Sequence, residues 1–243
     1  GKGGGGGKGG GGGKGGGGGG EWGEEAAEEA RAVPAAFTER LVQMAALLAA
    51  PTRRQGGSDG GDGGGAVAHH MAYHPTGSPA LQELLVALPA PSAALDGLAL
   101  AALRWPRCAL PAEGAAAEPP TDDAVLHIQD MTQDAVASHF AQALLRVGGA
   151  PWWHRLQAAL GPSLKPMAQH PSANFVVQAL LESAPSAEPF ARCMGALELG
   201  PLLGTRAGVI WKIAQAAARL RTGGQKLTKQ LRVAIEEEAA GGS

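Results

Sequence analysis

His170-Pro171-Ser172-Ala173-Asn174-Phe175-Val176-Val177-Gln178-Ala179-Leu180-Leu181 is the stretch on which the fold of this chain turns. Pro171 suits the opening of a helix, and Val177, Leu180 and Leu181 then fall on one apolar face. Asn174 and Gln178, four residues apart, project together from another face with Phe175 beside them. The frame recurs. HPTGSPALQELL, from His74 to Leu85, keeps the His-Pro start, the Gln and the closing Leu pair, and DAVASHFAQALL, from Asp134 to Leu145, keeps the Gln and the Leu pair. GTRAGVIWKIAQ, from Gly204 to Gln215, is a weaker fourth copy. With Ser78, Ser138, Asn174 and Gly208 taken as equivalent, the spacing is 36 residues from Ser138 to Asn174 and 34 from Asn174 to Gly208. It is 60 from Ser78 to Ser138, where a Pro/Ala-rich insert intervenes. Periods in the mid-thirties with a helical pattern mark stacked helical repeats.

The later copies each follow another amphipathic segment: Trp152 to Leu160, with Leu156 and Leu160 on one face, and a segment holding Phe190, Met194 and Leu197. Two helices per repeat, neither able to bury its face alone, predict an all-α, right-handed α-solenoid. Composition agrees, since hydrophobic residues make up 44% of the chain but aromatics only 4%, with Ala and Leu dominant. The spacing predicts a further helix from Ala35 to Ala50, a short one from Ser92 to Arg104, and a capping helix from Gln225 to Glu238. Residues 33–238 form the expected repeat domain. A Gly/Lys tail with an acidic leader precedes it over 1–32, a short tail follows over 239–243, and Gly-rich and Pro/Ala-rich inserts, expected to be disordered, fall at about 52–66 and 89–123.

Cys108 and Cys193 make neither a disulfide framework nor a paired metal motif, which points to a reduced, intracellular setting. His69-His70 stands without a carboxylate or Cys at ligand spacing, so no metal is expected. No apolar run reaches the roughly 18–20 residues of a membrane span. Neither a nucleophile elbow, a phosphate-binding Gly loop nor a zinc-protease motif occurs, and no enzyme, small-molecule substrate or cofactor is expected. The formal net charge is −2, yet Arg146 to Ile235 holds eleven basic residues against three acids, a net +8 fit for a polyanion. Arg219 and Arg221, with Lys226, Lys229 and Arg232, are the densest part of it.

An Asn and a Gln each offer a donor and an acceptor, enough to meet the alternating edge of a nucleobase, while an adjacent ring supplies a stacking surface. The His170 to Gln178 stretch resembles the second helix of a Pumilio (PUF) repeat. That resemblance implies that Asn174 and Gln178 hydrogen-bond one base, a uracil for this pair, and that Phe175 stacks on it. Ser138 and Gln142, with His139 as stacker, resemble the adenine-type combination, as do Ser78 and Gln82, although Pro79 holds the stacking position. In the fourth copy Gly208, Val209 and Lys212 replace the triad, leaving Lys212 at most a phosphate contact. The irregular spacing and phrases such as Ala137-Ser138-His139-Phe140 and Arg206-Ala207-Gly208-Val209 are most similar to the nucleolar protein nine family, over residues 68–235. Its members bind single-stranded precursor ribosomal RNA, act in small-subunit rRNA maturation and ribosome biogenesis in the nucleolus, and work alongside pre-ribosomal proteins. A different reading stands beside it: an α-solenoid scaffold that binds another protein and carries vestigial triads.

Overall fold

The computed structural model describes residues 34–51, 66–105 and 121–241, which build an all-helical array. The Gly/Lys tail and acidic leader, nearly all of the Gly-rich insert and the stretch 106–120 of the Pro/Ala-rich insert lie outside the described residues. The helices are α1 (Ala35–Ala49), α2 (Val67–Tyr73), α3 (Gly77–Ala87), α4 (Ala93–Ala102), α5 (Asp122–Gln133), α6 (Ser138–Val147), α7 (Gly149–Leu160), α8 (Leu164–Gln169), α9 (Ala173–Glu182), α10 (Ala187–Gly195), α11 (Gly200–Leu203), α12 (Ala207–Arg219) and α13 (Gly224–Gly241). The four copies of the frame are α3, α6, α9 and α12. They pack in that order, each on the next, as a ladder. Behind them α2, α5, α8 and α11 each pack on the ladder helix that follows in sequence.

The entry to three ladder helices is built the same way from different residues. His74 Nδ1 accepts from the backbone N–H of Thr76 and Gly77, each at 3.3 Å, and His170 Nδ1 from those of Ser172 and Ala173, each at 3.2 Å. Asp134 Oδ1 takes the equivalent pair, Val136 at 2.8 Å and Ala137 at 2.7 Å. Each side chain satisfies donors that a helix start leaves without intrahelical partners. The histidines before Pro75 and Pro171 are therefore structural. The fourth ladder helix follows Gly204-Thr205-Arg206, which has no such acceptor at its start.

Packing fixes the rest. Leu81, Leu84 and Leu85 of α3, Leu144 and Leu145 of α6, and Val177, Leu180 and Leu181 of α9 are all buried in one continuous core. Each such side chain contributes roughly 1.5–3 kcal/mol of burial. Trp152 and Trp153 anchor α7 from inside: one indole donates to Asp96 Oδ1, the other to Leu180 O, both at 2.8 Å.

The stretch 89–123 is not an insert throughout. Ser92 Oγ accepts from Leu95 N and caps α4, whose Leu95, Leu98 and Ala99 are buried, and Leu103 and Trp105 follow them into the core. α4 packs on α1 and α2, so this segment completes the first repeat's core rather than interrupting the array. In α1 the face carrying Ala45 and Ala49 turns inward, while Phe37, Met44 and Leu47 are exposed.

Candidate nucleic-acid interface

The three intact copies present their polar residues along one edge of the ladder, with small differences that matter for chemistry. In α9, Asn174 is only 4% exposed, and its amide nitrogen donates to the carbonyls of His170 and Pro171, both at 2.8 Å. Its Oδ1 accepts from Gln178 Nε2 at 2.9 Å. Both amide hydrogens of Asn174 are thus spent on the helix entry, and its oxygen holds the Gln178 amide in one orientation. Gln178 keeps its Oε1 acceptor and its second N–H, a donor–acceptor pair at the surface. Phe175 beside it is 51% exposed and takes no part in the core.

α3 repeats this with a shorter side chain. Ser78 Oγ accepts from Gln82 Nε2 at 3.0 Å and donates to Val136 O, across the ladder, at 3.4 Å. Pro79 is exposed at the stacking position. In α6, Ser138 is buried, His139 is exposed, and Gln142 is 7% exposed with its buried Nε2 lacking any hydrogen-bond partner. An unpaired buried amide is worth about 1–3 kcal/mol to any acceptor that reaches it.

The fourth copy sits one residue earlier than the sequence frame places it. Val209 is 0% exposed, whereas Phe175, with which the frame equated it, faces outward. Aligning inward faces instead pairs Val209 with Val176 and Ile213 with Leu180, all buried. Contacts across the ladder agree. A Cβ built on Gly208 would lie 3.1 Å from both polar atoms of the Gln178 amide, which puts Gly208 beside the reading position of α9. The residues equivalent to Asn174, Phe175 and Gln178 are therefore Ala207, Gly208 and Trp211, and Trp211 is exposed.

Lys212, now one residue past the reading position, pairs with Glu182 at 2.7 Å. Arg219 Nη2 donates to the carbonyls of Glu182 and Ala184, at 2.9 and 2.8 Å, and so caps the C-terminus of α9, where a cation also complements the helix dipole. All three acids of the basic segment are occupied, Glu182 by Lys212, Glu188 by Arg192 and Glu198 by Lys165. Among the described residues Arg146, Arg221, Lys226 and Lys229 are exposed and make no ion pair. Arg221 adopts a left-handed backbone with φ of 50° after the last turn of α12, a conformation that glycine enters far more cheaply.

A family model for the NOP9-like PUF repeat domain matches residues 18–241. The chain belongs to that family. Solved structures of APUM23 share the PUF fold with it. That with GGAUUUGACGG has a TM-score of 0.59 at 21% identity over 70% of this chain and 30% of that one. That with GGAAUUGACGG has a TM-score of 0.57 at 20% identity over 70% and 31%. A form lacking its insert region, with GGAAUUGACGG, has a TM-score of 0.58 at 19% identity and covers 82% of this chain and 39% of that one. The chain thus spans about a third of the length of the structures it matches. A comparison with curated proteins finds no significant match.

Within that fold α3, α6, α9 and α12 are the corresponding helices of four successive copies of the repeat. Sequence reasoning placed the polar residues of three of them and missed Trp211 in the fourth. The available signal was the apolar phase of α12, in which Val209, Ile213, Ala216 and Ala217 mark the inward face.

Proposed function

We propose that this chain binds single-stranded RNA along the edge formed by Ser78 and Gln82, Ser138, His139 and Gln142, and Asn174, Phe175 and Gln178. The observation that carries the reading is the third repeat. Gln178 there presents one acceptor and one donor, held in orientation by Asn174, next to an exposed Phe175 ring. Uracil offers an N3–H donor flanked by carbonyl acceptors, so Gln178 Oε1 and Nε2 match two adjacent atoms of its edge while Phe175 covers its face. Such an edge is open only in an unpaired base. Arg221, Lys226 and Lys229 supply sequence-independent attraction to phosphates. APUM23 with GGAAUUGACGG and GGAUUUGACGG, and membership of the NOP9-like family, support the same reading. Within it the natural ligand is precursor ribosomal RNA, the process small-subunit rRNA maturation beside pre-ribosomal proteins, and the location the nucleolus. The test is fluorescence anisotropy with a labelled uridine-containing single strand and with the same strand in a duplex. Binding of the single strand and not the duplex is expected; equal binding of both reduces the surface to a basic patch.

A protein-interaction scaffold draws on Phe37, Met44 and Leu47, exposed on α1. An apolar interface of that kind binds almost independently of salt.

A further inference from the structure

Trp211 is 62% exposed, the largest side chain on the described surface to stand so far into solvent, while Trp105, Trp152 and Trp153 are all buried. An indole left in water forgoes most of the stabilisation its apolar area brings when covered. Its place is specific. It occupies the fourth-repeat position equivalent to Gln178, on the ladder that carries the other polar residues, and Val209 and Ile213 of the same helix lock that phase by facing inward. The stacking position of this repeat is Gly208, one turn earlier on α12, which carries no side chain and lies against the Gln178 amide, where a Cβ would come within 3.1 Å of both polar atoms. The one carboxylate on the neighbouring helix that would repel a phosphate, Glu182, is neutralised by Lys212, the residue next to Trp211.

We propose that Trp211 is a nucleobase-stacking platform, so that the fourth repeat holds the base next to the one at Gln178 by its face and does not read its edge. The roles within the repeat are exchanged: the position that elsewhere carries a hydrogen-bonding amide carries the ring, and the position that elsewhere carries the ring is glycine. Every base has a π-face, so the site accepts any of the four bases and extends the bound strand by one nucleotide without adding sequence preference. The proposal rests on single-stranded RNA being the ligand.

The test uses the full chain carrying W22F, so that Trp211 supplies the exposed indole emission, with oligouridine as the probe and anisotropy and tryptophan emission read together. Oligouridine is expected to quench that emission and to protect it from acrylamide. W211A is expected to abolish the RNA-induced quenching and weaken binding by roughly fivefold to a hundredfold, and W211F to keep most of the affinity, as stacking does. Circular dichroism of W211A should match the parent, because the side chain lies outside the core. Four results separate the possibilities. If the parent binds oligouridine and W211A binds it as tightly, the platform is overturned and the RNA reading stands. Tight binding by W211A that is lost in W211F overturns it too. A difference emission, parent minus W211A, that is already blue-shifted and shielded from acrylamide in the free protein means that another part of the chain covers Trp211, and also overturns it. Failure of the parent to bind any single strand overturns the RNA reading and the platform together.

Discussion

Gly208 has room for its hydrogen and little more, since a methyl group there would come within 3.1 Å of both polar atoms of the Gln178 amide. The obstacle is the end of a flexible side chain, so the fold can absorb it, and alanine is the better helix former by about 0.5–1 kcal/mol. Gly208→Ala should therefore leave the melting temperature equal or raised while it pushes Gln178 out of register and weakens single-stranded RNA binding several-fold. Paired thermal melts and anisotropy titrations check this, and unchanged affinity would remove Gln178 from the reading. The intact copies were legible in the sequence because identity and burial agree there: Ser78, Ser138 and Asn174 are all buried and precede a Gln by four residues. In the fourth copy they part. Ala207, Gly208 and Lys212 are compatible with either phase, and the burial of Val209 and Ile213 decides between them. Side-chain accessibility likewise settles Phe175, whose ring faces outward, and Trp152 and Trp153, whose rings do not.

At the level of the element, His170 and Asp134 do one job with different chemistry, each accepting two backbone N–H groups ahead of a ladder helix. His170→Ala should cost about 1–2 kcal/mol in urea unfolding, and His170→Asp should restore most of it by supplying the acceptor that already works before α6. Equal stability of the two variants would mean that these hydrogen bonds carry no net weight. The corner between α6 and α7 is stricter. A Cβ on Gly148 would lie 2.7 Å from Trp152 Cβ and 2.8 Å from Leu144 O, and backbone cannot step aside as a side-chain end can. Gly148→Ala should destabilise by roughly 1–3 kcal/mol in the same assay, although the φ of −75° suits any residue. Helices with an uninterrupted apolar period, α1, α7 and α13, lay open in the sequence. α8 did not, because Pro162 and Pro166 flank and enter a helix of six residues, and prolines read as breaks unless they fall in a first turn. Within the Pro/Ala-rich stretch the helix expected from Ser92 to Arg104 forms as α4, with Ser92 as its cap. The composition of the stretch suggests a linker, but Leu95 and Leu98 at helical spacing find a partner in α1.

Across the whole molecule, a basic segment of net +8 lies on a chain of net −2, and its own acids are already paired within it. Among the described residues, Arg221, Lys226 and Lys229 are exposed cations without ion pairs that lie on and beside α12 and α13, at the end of the ladder. If each neutralises a phosphate, replacing all three with Ala should make the log–log salt dependence of RNA binding shallower by roughly 2, at about 0.7 per phosphate on a single strand. Binding titrations over a series of salt concentrations read that slope, and an unchanged slope would assign the attraction elsewhere. The repeat period made the ladder legible in advance; the surviving charge was not, because ion pairs such as Lys212 with Glu182 join residues thirty positions apart in the chain. The central claim, that the third repeat reads an unpaired base through Gln178 held by Asn174, has a direct test. It is the affinity of the N174A/Q178A double variant for a labelled uridine-containing single strand, measured beside wild type once circular dichroism has shown equal helicity. The account predicts a loss of at least about tenfold, the scale of a paired set of base contacts. Wild-type affinity in the double variant would contradict it.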